Sequence, residues 1–79
     1  MSMREELEKR LAELKRRREE AEAEATHAAE HLIRAAGGVT PLRDTDPDEV
    51  RAAADAFASA IQRLRMLEEF AHALRALLM

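Results

Sequence analysis

The chain has no cysteine, no tryptophan and no tyrosine, and its only aromatic residues are Phe57 and Phe70. Without thiols it can form neither disulfides nor thiolate metal sites, and nothing ties it to an oxidising compartment. A reducing cytoplasm is the expected location. Glycine occurs only as the pair Gly37–Gly38 and proline only at Pro41 and Pro47. All the chain-breaking residues therefore fall between 37 and 47, which leaves two long uninterrupted segments.

Long hydrophobic runs are absent as well. The strongest, "ALLM" at the C-terminus, is far shorter than the ~20 apolar residues a bilayer-spanning helix needs. The charged opening "MSMREELEKR" has no apolar core of the signal-peptide type. Nor is there an excess of one charge. Thirteen basic and sixteen acidic side chains give a net charge of −3, and the basic run Lys15–Arg18 is followed at once by Glu19 and Glu20. A nucleic-acid surface requires basic residues on one face without compensating acids, so no nucleic-acid partner is expected. The mixed polar faces likewise exclude a basic amphipathic membrane helix, and no membrane association is expected.

What is present in quantity is alanine, leucine, glutamate and arginine, the composition of long helices and coiled coils. From about residue 3 to 36 the apolar positions are Leu7, Leu11, Leu14, Ala21, Ala25, Ala28, Leu32 and Ala35. Their alternating four- and three-residue spacing is a heptad seam. Arg18 interrupts it, in a place where its aliphatic stem can cover the seam while its head reaches water. A loop at 37–46 follows. Gly37 suits the left-handed cap of the first helix, and Thr40 before Pro41 favours extended backbone. Asp46, Pro47 and Glu49 then read as N-cap, first helical position and third position of a capping box.

The second helix is expected over about 47–78. One apolar row holds Val50, Phe57, Leu64, Ala71 and Leu78, and its companion holds Ala53, Ala60, Leu67 and Leu74. Ala54 and Ile61 flank the rows on one side, Phe70 and Leu77 on the other. Arg51, Asp55, Gln62, Arg65, Glu69 and His72 mark a wet face. The apolar stripe is wider than a two-stranded seam uses. A short connection between two such helices predicts an antiparallel hairpin filling residues 1–79 as one all-α domain. In it the small row Ala21, Ala25 and Ala28 meets Phe57, Ile61 and Leu64. One companion helix cannot cover the whole stripe, so the expected state is a homodimeric four-helix bundle, or a complex with another helical protein. Phe57, Ile61, Leu64, Leu67, Phe70, Leu74 and Leu77 are the expected interface. Met66 is expected to fill the core.

Three short patterns raise metal chemistry. "HAAEH" (His27 to His31) matches the inverted zinc-protease signature H-x-x-E-H. Glu24-x-x-His27 and Glu69-x-x-His72 match the spacing that places two ligands on one helix face in di-iron bundles. The protease reading lacks a third ligand and the much larger domain that would wall a substrate cleft. The bundle reading needs a second copy, and puts His27, His31, Glu69 and His72 at an intersubunit Zn or Fe site. In the heptad assignment these residues flank or oppose the seam, so no cofactor and no catalytic residue is assigned. The metal site stands as the alternative.

In layout, "LEKRLAELK", "GGVTP", "DPDEV" and the leucine-rich second helix resemble the small helical-hairpin co-chaperones of type III secretion needle subunits. That resemblance implies a chaperone-like heterodimer with an export substrate. The agreement of heptads, caps and loop also resembles an engineered, de novo designed helical scaffold, for which no natural activity is implied.

Overall fold

The computed structural model describes residues 2–37 and 41–79. Two helices, α1 (Met3–Ala35) and α2 (Pro47–Leu78), are joined through a 3-10 turn at Leu42–Asp44. They pack against each other along a rod 60 Å long and 14–16 Å across. The second helix has the bounds expected from its sequence, and the first ends one residue earlier than expected. Among the described residues there is no strand, and no helix is long and apolar enough to cross a membrane.

The helix ends follow from local chemistry. Ser2, for which the heptad pattern offers no role, caps α1: its Oγ accepts from the Glu5 N–H at 3.1 Å. At the other end Ala36 is the C-cap, and Gly37 takes φ 103°, the left-handed conformation that costs a glycine little. Thr40 lies outside the described residues, while Pro41 is extended with ψ 143°. At α2, Asp46 Oδ1 accepts from Asp48 N at 2.9 Å, so the aspartate caps the second helical N–H. The expected partner was the third, at Glu49. Replacing Asp46 by Ala leaves that end uncapped and should cost about 1 kcal/mol. The fall in Tm is then on the order of 4–8 °C, measurable by circular dichroism.

The seam is occupied by the residues the heptads place there. Leu14, Ala21 and Ala25 of α1 and Ala53, Ala60 and Ala71 of α2 are buried. Leu7, Leu11, Ala28, Leu32 and Ala35 are half-buried, as are Val50, Phe57, Leu64, Leu67 and Leu74. Arg18 is half-buried too, consistent with a stem laid along the seam. Among the described residues Leu14 is the one large side chain that is buried; the other five are alanines. Small side chains let helix axes approach closely, but they remove little apolar area from water. Exposed i,i+4 ion pairs line the outside of α1: Arg4 with Glu8, Arg10 with Glu6, Arg16 with Glu20 and Arg17 with Glu13. Each contributes a few tenths of a kcal/mol to helix stability, roughly.

Candidate interaction surface

Because α2 carries apolar residues beyond the seam, closing the hairpin leaves large ones in water. Phe70 is 55% exposed, Leu77 70% and Met66 69%. Met66 is thus a correction to the expected core filler. It lies one turn before Phe70 and continues the exposed row outward. Of the seven expected interface residues, Phe70 and Leu77 are exposed, while Phe57, Ile61, Leu64, Leu67 and Leu74 are half-buried against α1. The expected interface is therefore split between seam and surface.

The split has two sides. Seven-residue steps return to the same flank of a two-helix seam. Arg63, Phe70 and Leu77 form one such row; Pro47, Ala54 and Ile61 form another on the opposite flank. The Phe70 flank is grooved along much of its length. Near the open end Leu14, Arg17, Met66, Leu67, Phe70 and Ala73 line one depression. It runs on into a second, walled by Arg17, Glu20, Ala21, Glu24, Arg63 and Leu67. At the loop end His31, Arg34 and Glu49 line a third, polar one. On the other flank Ala36, Leu42, Val50 and Ala54 line a shallow apolar depression confined to the loop end.

Among the described residues one ion pair joins the helices. Arg63 Nη1 donates to both carboxylate oxygens of Glu24, at 2.7 and 2.9 Å. Both side chains are more than half exposed, so the pair contributes less than about 1 kcal/mol to the hairpin. It does fix the register: Ala25 and Ala60 sit within one turn of it. Nothing in the sequence pairs Glu24 with Arg63 beyond their place on adjoining flank rows.

The metal-motif residues are dispersed. His27, His31, Glu69 and His72 are all exposed. Glu24, the carboxylate of the first Glu-x-x-His pattern, is engaged by Arg63. His31 instead shares the loop-end depression with Arg34 and Glu49, and Glu69 lies beside Phe70 at the rim of the open-end groove. Among the described residues no three His, Asp or Glu side chains of one chain are gathered as a metal site.

Compared with family models, curated proteins and solved structures, the chain matches none of them.

Proposed function

We propose that the protein is a non-enzymatic helical interaction module that self-associates through α2, two hairpins forming a four-helix bundle. What carries this reading is the exposure of Phe70, Leu77 and Met66 in a chain where, among the described residues, Leu14 is the one large side chain that is buried. Contiguous exposed apolar surface is characteristic of an interface. A hairpin whose large seam residues other than Leu14 are only half-buried is also a poor candidate for standing alone, since small domains need a partner or a staple and this one has no disulfide to supply it. Burying each large side chain on a second surface is worth roughly 1.5–3 kcal/mol.

Sedimentation equilibrium over a concentration series tests the reading. The expected result is a dimer mass that persists into the micromolar range, with a Tm that rises with concentration because association stabilises the folded state. A fully helical monomer throughout that range, with no concentration dependence of Tm, contradicts it.

A further inference from the structure

Resting on the self-association proposed above, we infer that the second copy packs on the Phe70 flank about a two-fold axis parallel to the long axis of the rod, so that both hairpin loops lie at the same end.

Area comes first. A stable interface removes roughly 800 Å² per partner. A flank 60 Å long and 14–16 Å wide reaches that only when it is covered along most of its length. Offset pairing through the open ends alone falls well short.

Full overlap leaves two orientations for like flanks, and the residues separate them. The midpoint of α2 (Pro47–Leu78) falls at Gln62–Arg63. A two-fold perpendicular to the rod would bring Arg63 against Arg63 of the other copy. It would also lay Phe70 over the small Ala56 and Leu77 over the charged Glu49, because each pair is about equally far from that midpoint. Like charges would meet, and apolar side chains would face an alanine and a carboxylate.

A two-fold parallel to the rod keeps every level opposite itself. Each α1 then faces an α2 of the other copy, and all four neighbouring helices run antiparallel, as in up-and-down bundles. At the level of Glu24 and Arg63 the order around the bundle becomes Glu, Arg, Glu, Arg, so each charge has an opposite on both sides. Two turns further, Arg17 of each copy lies over Phe70 of the other, a cation–π arrangement. Phe70, Leu77 and Met66 gather near the open end. At the loop end His31 and Arg34 face the other copy's Glu49. Apolar levels meet apolar levels and charged levels meet their complements.

Since the protein has no cysteine, single spin labels can be placed cleanly, one at Arg43→Cys by the loop and one at Ala76→Cys near the open end. Dipolar spectroscopy on each labelled dimer is expected to give a same-residue separation of roughly 15–30 Å at both ends, the scale set by helix packing distances. Separations approaching the 60 Å length of the rod at both ends would overturn the orientation while leaving self-association standing. A single monomer mass and no dipolar coupling would remove both. The flank is tested separately by sedimentation. Phe70→Glu is expected to weaken the dimer by roughly 100-fold or more, while Leu42→Glu on the opposite flank leaves it intact, with circular dichroism confirming that each variant stays helical. The reverse pattern would move the interface to the loop-end flank and sink the inference.

Discussion

Leu14→Ala is expected to unfold most of the hairpin at low protein concentration. Leu14 is 7% exposed and, among the described residues, is the one large side chain that is buried, lining the same groove as Leu67 and Phe70. Truncating a buried leucine typically costs about 2–5 kcal/mol, part for lost burial and part for the cavity left behind. A domain of this size has little more stability than that to lose. The far-ultraviolet helical signal measured near 1 µM should collapse or melt at a much lower temperature. It should recover in part as concentration rises, because association favours the folded form. A variant whose Tm stays within a few degrees of the parent would mean that the two helices are not held by the seam described here.

A contrast between two alanines two residues apart, Ala58 and Ala60, gives the second large effect. Ala60 is 4% exposed, close to Ala25 and the Glu24–Arg63 pair; Ala58, two residues earlier, is exposed. At Ala60 the added bulk of leucine has no room, and forcing it in should cost roughly 1–3 kcal/mol by pushing the helices apart. At Ala58 the same substitution meets water, and leucine is nearly as good a helix former as alanine. The change there should stay within about 0.5 kcal/mol. Urea denaturation of the two variants measures both. Equal midpoints would mean that the alanine seam is not a close contact.

These two predictions draw on different levels of information. That Leu14 and Ala60 face the seam is legible from seven-residue periodicity, because a heptad repeat on an uninterrupted helix leaves one facing direction open to its apolar residues. How completely each is buried is not legible, since that depends on how closely the axes approach. Periodicity also gave Met66 no clear place. A methionine beside an apolar row is an ordinary core filler, and only the position of α1 leaves it outside.

The metal patterns illustrate the same boundary. Glu24-x-x-His27 satisfies the one-dimensional spacing for two ligands on one helix face. Spacing along one helix says nothing about what stands across from it, and across from Glu24 stands Arg63. A guanidinium at 2.7 Å occupies the carboxylate. The pattern and the ion pair are alternative uses of the same oxygens.

By itself the sequence determined the two helices, the chain reversal between them and the direction each helix turns its apolar rows. Those features depend on local forces: backbone propensity, end-capping by Asp46, the left-handed tolerance of Gly37, and the repeat spacing of side chains. Tertiary structure alone decided that Phe70, Leu77 and Met66 stay exposed, that Leu14 is the one large side chain buried among the described residues, and that Glu24 and Arg63 meet. Each depends on the separation and relative rotation of two rods joined by a turn, which no pattern along one rod encodes.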